Sequence, residues 1–230
     1  MVYRRRKFYD PLLAFKMQSR ADENDGVQSL NVFIDVKELE KIQPLLKIPE
    51  ETAGAFRVRE YSDDGTAILT YPEFSSAMGD HDSTLMLNEP FGFHTHPDVV
   101  YEDARLNQPS VWPSSTDFES LLQQYSDQNS PNQLSSIVMA GEGVCLYRIH
   151  EHFQKLYEDQ VYEEIIDVIV DWVRDQEDIR DRRRLNGAKE AARFLRKVNA
   201  ITTTDLGLYD DENNTPIFAV DLVSWETIRE

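Results

Sequence analysis

Two histidines one residue apart, directly before a proline, are the first residues in this chain whose spacing suggests chemistry: FGFHTHPDV, with His94, His96 and Pro97. Side chains at i and i+2 of a strand project from one face, so both imidazoles can approach one ion. Proline has no N–H to give a neighbouring strand, which puts the pair at the strand's mouth rather than deep within a sheet. Zinc accepts two neutral imidazoles and one carboxylate readily, and a catalytic zinc keeps a fourth position for water. A carboxylate follows at Asp117, in SSTDFESLL. Ser114 or Ser115 can cap a helix there, leaving Asp117 in its first turn. The positive end of the helix dipole favours the ionised form that a metal ligand must have.

With an upstream glutamate added, these elements resemble the JAMM, or MPN-plus (JAB-like), zinc metalloproteases. The family pattern is a Glu, then His-Ser/Thr-His-Pro, then Ser-x-x-Asp. It is matched by Glu51, by His94-Thr95-His96-Pro97, and by Ser114-Ser115-Thr116-Asp117. The stretch NVFIDVKELEKIQPLLKIPEETAGAF is also similar to the family's strand, helix and Glu-x-x-Gly leading into a strand, with Glu51 and Gly54 at the matching positions. The resemblance covers about residues 27–150. It implies Zn²⁺ held by His94, His96 and Asp117. It implies Glu51 as the general base toward a zinc-acidified water, later passing the proton to the leaving amine, and Ser114 as a hydrogen-bond donor to the oxyanion. The implied reaction is hydrolysis of an amide, characteristically an isopeptide bond to a ubiquitin-like modifier, and the implied partner is a protein substrate so modified. One departure is the connection 98–113, which is longer than the family usually has. A longer loop costs little closure entropy, about 0.6 kcal/mol per doubling, so the ligands can stay in place while the insertion bears on substrate choice. Asp103, inside it, is a rival third ligand without the Ser-x-x frame or the following helix pattern.

Each residue also has an ordinary reading. Glu50 or Glu51 can be a solvated turn residue, and the Glu-x-x-Gly frame selects Glu51. Ser114 can be only a helix cap. His150 and His152, in IHEHF, read as surface residues at a helix start, and His81 as a loop residue. Cys145 alternates with apolar neighbours in GVCLYRI and reads as core. Relatives of the fold that lack the ligands serve as assembly partners, so a scaffold subunit of a larger assembly is the first alternative to an enzyme. A hydrolase of a smaller amide, or another metal-dependent reaction on the same site, is the second.

The elements that must position these residues follow from periodicity. VQSLNVFIDV reads as a strand, KELEKIQPLLK as a helix limited by Pro44, and FRVREYS with TAILTYPEF as a β-hairpin turning at DDG. LMLNEPFGFHTH reads as a strand entered at Pro90, SSTDFESLLQQYS as a helix, and SSIVMAGEGVCLYRI as a strand pair turning at GEG. Tyr157, Val161, Ile165, Val168, Ile169 and Trp172 suggest an amphipathic stripe, and Leu185, Ala188, Ala192 and Leu195 a second helix with DRRR on its solvated side. TPIFAVDLVSW is a late strand able to rejoin the sheet. The expected fold class is α/β: one central mixed sheet flanked by helices, with a C-terminal helical extension. The resemblance implies the MPN (JAB-like, cytidine-deaminase-like) version of it. The expected organisation is a basic, flexible arm over 1–26, a metal-binding domain over 27–150, and an extension with a returning strand over 151–230 packed on the same domain.

Composition narrows the classes. At 40% hydrophobic and 10% aromatic residues the chain is globular in type. A net charge of −18 argues against nucleic acid as a partner, because phosphate contacts need a positive surface. The RRRK cluster near the start reads as a solvated terminus, with an import or anionic-surface patch as the alternative. One cysteine excludes an internal disulfide and suits a reducing compartment. No run approaches the roughly 20 apolar residues of a membrane span, and MVYRRRKFYDPLLAF lacks the sustained apolar core of a secretory signal. The expectation is an intracellular protein, cytoplasmic or nuclear.

Overall fold

The computed structural model describes residues 12–20, 27–63, 66–71, 77–78, 91–97, 113–126, 135–141, 143–157, 163–182, 188–208 and 214–229. Two mixed sheets and their flanking helices make an α/β fold. The first sheet runs β1 (Leu12–Arg20), β2 (Val27–Asp35), β5 (Ala67–Thr70) and β4 (Arg57–Tyr61) in spatial order. The second runs β10 (Phe218–Ser224), β9 (Gly143–Ile149), β8 (Ser135–Ala140), β7 (Gly92–Thr95), β3 (Thr52–Ala55) and β6 (Ala77–Met78). Within the second sheet β7 pairs parallel to β8 and antiparallel to β3.

Two sheets rather than one is the main departure from expectation, and it begins at the N-terminus. Leu12–Arg20, assigned by charge to a flexible arm over 1–26, is a strand paired antiparallel with β2 from Leu12↔Asp35 to Arg20↔Val27. A reading by charge passed over the apolar LLAF run with which that strand begins. Residues 1–11, with the RRRK cluster, lie outside the described residues. The FRVREYS/TAILTYPEF hairpin is present as β4 and β5, with a bulge between Val58 and Glu60.

The second sheet separates two cores. On one face Ile137, Met139, Val144 and Leu146 pack with Phe93, with Val32 and Ile34 of β2, and with Leu39 and Ile42 of α1 (Val36–Ile42). Asp35 caps α1 by accepting from Lys37 N–H, and a 3₁₀ turn over Gln43–Lys47 follows, with Pro44 in its first positions. On the other face Val138, Cys145, Tyr147 and Ile149 meet α2 (Ser115–Ser126), Phe153 of α3 (Glu151–Tyr157), α4 (Glu163–Arg182) and α5 (Ala188–Ala200). Period-2 alternation along β8 and β9 thus sends successive residues to opposite cores.

The last third departs from the expected stripe in phase. Tyr157 ends α3 rather than belonging to α4, Val161 lies outside the described residues, and Val168 is exposed. The buried face of α4 is Ile166, Ile169, Val170 and Val173, the i, i+3, i+4, i+7 set one step away. On α5 the buried residues are Ala191, Phe194, Leu195 and Val198. Phe218–Ser224 pairs antiparallel with β9 from Phe218↔Ile149 to Ser224↔Gly143 and is the sheet's edge. Gly143 is required at that crossing, because a Cβ there would lie 2.1 Å from the Val223 carbonyl oxygen. A short α6 (Trp225–Arg229) then returns Trp225 to the first core, where its Nε1–H donates to the Ala140 carbonyl at 2.7 Å.

Candidate metal centre

The site is assembled where β7 leaves the sheet. His94 stands opposite Ala53 of β3 on one side and Val138 of β8 on the other. His96, past the strand's end, still donates its N–H to the Met139 carbonyl at 2.8 Å, so the backbone stays in register through both histidines. Alternation sends Phe93 into the first core and His94 and His96 toward the second, on the face that carries α2. Both imidazoles are buried.

The same register explains Glu51. With Ala53 opposite His94, the position two residues earlier falls opposite His96 on the same face. Glu51 is buried and its Oε1 lies 3.6 Å from His96 Nε2. Between them, Thr95 points the other way and its Oγ1 accepts from Thr52 N–H at 3.0 Å in a buried bond. The middle residue of His-x-His therefore fastens the glutamate's strand to the histidines' strand. Gly54 is equally local in its cause: a Cβ there would stand 2.4 Å from Phe93 Cζ, so the aromatic before His94 occupies the space a side chain would need.

Asp117 arrives from α2 through a reciprocal cap. Ser114 Oγ accepts from Asp117 N–H at 3.3 Å, while Asp117 Oδ2 accepts from Ser114 N–H at 2.6 Å and from its hydroxyl at 2.9 Å. This is a capping box in which aspartate takes the third position, and it holds the carboxylate at a fixed angle to the helix. The other oxygen, Oδ1, lies 2.9 Å from His94 Nε2, and Oδ2 lies 3.6 Å from His96 Nε2. Phe118 beside it is fully buried against Tyr147 and Phe218 and anchors the helix start to the core.

Ligand atoms of His94, His96 and Asp117 all lie within 4.8 Å of one another, the one such group of three or more among the described residues. The two Nε2 atoms are 3.2 Å apart. An ion held tetrahedrally at about 2.0–2.1 Å keeps two nitrogen ligands roughly 3.3–3.4 Å apart, so the donor set fits zinc by type and by separation. Without an ion, burial depresses the pKa of His94, but the Asp117 carboxylate beside it and Glu51 beyond outweigh burial and raise it. Burial would raise the Asp117 carboxyl, yet His94, His96 and the Ser114 N–H bring it far below the usual carboxylate range. Asp117 is therefore an anion at any working pH. His94 Nδ1 is buried with no hydrogen-bond partner among the described residues.

All five residues singled out in the sequence, Glu51, His94, His96, Ser114 and Asp117, thus meet in one place. Asp103 and His81 lie outside the described residues, as does the 98–113 connection apart from Pro113. Cys145 is fully buried, and burial together with the charges of Asp117 and Asp221 pushes its thiol well up. The His150 and His152 rings meet edge to face, 5.0 Å between centroids, at the start of α3 and belong to no such ligand group. Two contributors were missed in the sequence. One is the Thr95 hydroxyl, and the other is Glu177 of α4, whose Oε2 accepts from Ser115 N–H at 2.8 Å. No family model matches the chain, and neither does any curated protein or solved structure. Among the described residues no helix is long and apolar enough to cross a membrane.

Proposed function

We propose that this chain is a zinc-dependent metallopeptidase of the JAMM type, on an MPN-like fold, hydrolysing an amide or isopeptide bond in a protein substrate, with a ubiquitin-like modifier as the characteristic acyl donor. The observation that carries the reading is the convergence of two imidazoles and an aspartate from separate elements, with a buried glutamate 3.6 Å from one of them. His94 Nε2, His96 Nε2 and Asp117 Oδ1 would hold the ion. Bound zinc supplies Lewis acidity and lowers the pKa of a water from 15.7 to about 7.

The remaining chemistry belongs to the chain's own groups. Glu51 is the proton carrier: its carboxylate takes a proton from the attacking water and gives it to the leaving nitrogen. Its place opposite His96 keeps that carboxylate buried and beside the ligands. Ser114 orients Asp117 through its N–H, and its hydroxyl must turn from Asp117 Oδ2 toward the substrate to serve an oxyanion. Loss of such a donor typically costs about 100- to 1,000-fold in rate.

Metal analysis of purified protein should find about one zinc per chain, absent from a His94→Ala, His96→Ala variant. Glu51→Gln should keep zinc and fold while abolishing hydrolysis of modifier-linked substrates. The alternative of a scaffold subunit draws on the Ser114 hydroxyl, which is already engaged by Asp117 as an ordinary helix cap. A Glu51→Gln variant that alters assembly and nothing else decides for the scaffold. A wild type that takes up no zinc at saturation removes the metallopeptidase reading.

A further inference from the structure

The group that carries Asp117 to the histidines has no short covalent tie to them, because residues 98–112 intervene. What fixes the start of α2 over the mouth of β7 is therefore non-covalent. The apolar part is Phe118 in the core, with Leu121 and Leu122 behind it. The polar part is the set of N–H groups that every helix start leaves without an intrahelical acceptor. Asp117 N–H is taken by Ser114 Oγ and Ser114 N–H by Asp117 Oδ2, both within the cap itself. Ser115 N–H goes elsewhere, to Oε2 of Glu177, 62 residues away on α4.

Glu177 is well placed for this. Val173, one turn earlier on α4, is buried in the same core as Phe118, so the backbone from which Glu177 reaches out is held. A carboxylate facing the first turn of a helix is also favoured by the helix dipole. A second link between the two helices, Arg174 to Glu119 at 2.8 Å, is exposed. It supplies a control for helix docking in general.

We infer that Glu177 is a positioning residue for the metal ligand Asp117: by accepting the Ser115 N–H it sets the angle at which the capped aspartate meets His94 and His96. The inference deepens the metal-centre reading and rests on it. It also makes the C-terminal region part of the site, since α4 lies beyond the segment that holds all the ligands.

Cobalt(II) is a suitable probe, because its visible absorption reports both affinity and tetrahedral geometry. In the full chain Glu177→Ala should lower cobalt affinity about 10-fold and change the band shape, in line with the 10- to 100-fold typical of outer-shell losses. Glu177→Gln, which keeps an acceptor oxygen, should restore most of both. Arg174→Ala should leave both unchanged. Amide exchange at Ser115, measured without metal, should speed up in Glu177→Ala only. Cobalt affinity and spectrum unmoved by Glu177→Ala overturn the inference. So does a Gln variant as impaired as the Ala variant, which assigns the effect to charge, and so does an equal loss in Arg174→Ala, which assigns it to helix docking. A wild type that binds no cobalt overturns the metal reading itself. Ser115 exchange that is then accelerated in Glu177→Ala leaves only the hydrogen-bond tether standing, and unchanged exchange removes that too.

Discussion

At the residue scale the Ser-x-x-Asp spacing has a mechanical meaning independent of any metal. Three residues is the distance at which a capping serine and an acidic side chain exchange hydrogen bonds across the first turn, so Asp117 is oriented before an ion arrives. The same group sets a pH dependence. His94 is raised above its ordinary 6.5 in the metal-free protein, so its protonated form adds stability below that value, and the contribution is lost as pH rises through the folded pKa. Zinc needs the neutral imidazole, so protons and zinc compete. Apparent zinc affinity should therefore climb with pH through and above 6.5, measured by competition with a chromophoric chelator. A flat profile across that window contradicts the pairing with Asp117. Thr95→Val keeps the shape but removes the acceptor of the buried Thr52 N–H. It should cost about 1–3 kcal/mol in denaturant unfolding, and lower the rate of any hydrolysis dependent on Glu51. The Thr95 hydroxyl, whose partner lies on another strand, was missed, while Ser114 and Asp117 were legible as a helix start and Glu51 and the histidines through the family resemblance. Glu177 was not, since nothing near it in the chain signals a partner 62 residues away.

At the scale of elements, strands and hairpins with clear alternation were readable, while the phase of α4 was not. Ile165, Ile166, Val168, Ile169 and Val170 give apolar residues on most sides, and only packing against Phe118 and Phe194 selects Ile166, Ile169, Val170 and Val173. The Glu-x-x-Gly glycine makes a sharper case. In Gly54→Ala the new Cβ meets Phe93 at 2.4 Å, and that ring is wedged against Phe56 and Tyr71 at 5.2 and 5.6 Å between centroids. Overpacking of this kind costs about 1–3 kcal/mol. Adding Phe93→Leu should recover part of it, and a double variant no more stable than Gly54→Ala argues against the steric cause. The buried Glu38 accepts from Thr70 Oγ1 and Tyr71 N–H, each at 2.9 Å, and from Lys41 Nζ. Burial opposes its ionisation, but the Lys41, Tyr71 and Thr70 hydrogen bonds win and lower its pKa below 4.5. Its stabilisation is present above that value and fades as pH falls through the folded pKa. Glu38→Gln should be less stable by about 1.5–3 kcal/mol at neutral pH, and the difference should shrink in acid.

For the molecule as a whole, the proposed ligands are spread over the chain in a way that ties metal to folding. His94 lies on β7 and His96 just past its end, Asp117 arrives on α2 after a long excursion, and the proton-carrying Glu51 stands just before β3. An unfolded chain holds no such arrangement, so an ion that binds here binds the native state almost alone. One such site at a free zinc concentration 100 times its Kd stabilises by about 2.7 kcal/mol. For a chain of this size each kcal/mol shifts Tm by roughly 2–4 °C, which makes about 5–11 °C on zinc addition, reversed by a chelator. The shift should vanish in His94→Ala and in Asp117→Ala, since each removes a ligand, but persist in Glu51→Gln, where all three remain. That pattern separates a ligand set from general binding of cations to a chain of net charge −18, which would survive any one of these substitutions. Equal shifts with zinc and magnesium, or a shift retained in Asp117→Ala, would mean that the cluster is a hydrogen-bonded corner of the core rather than a metal centre.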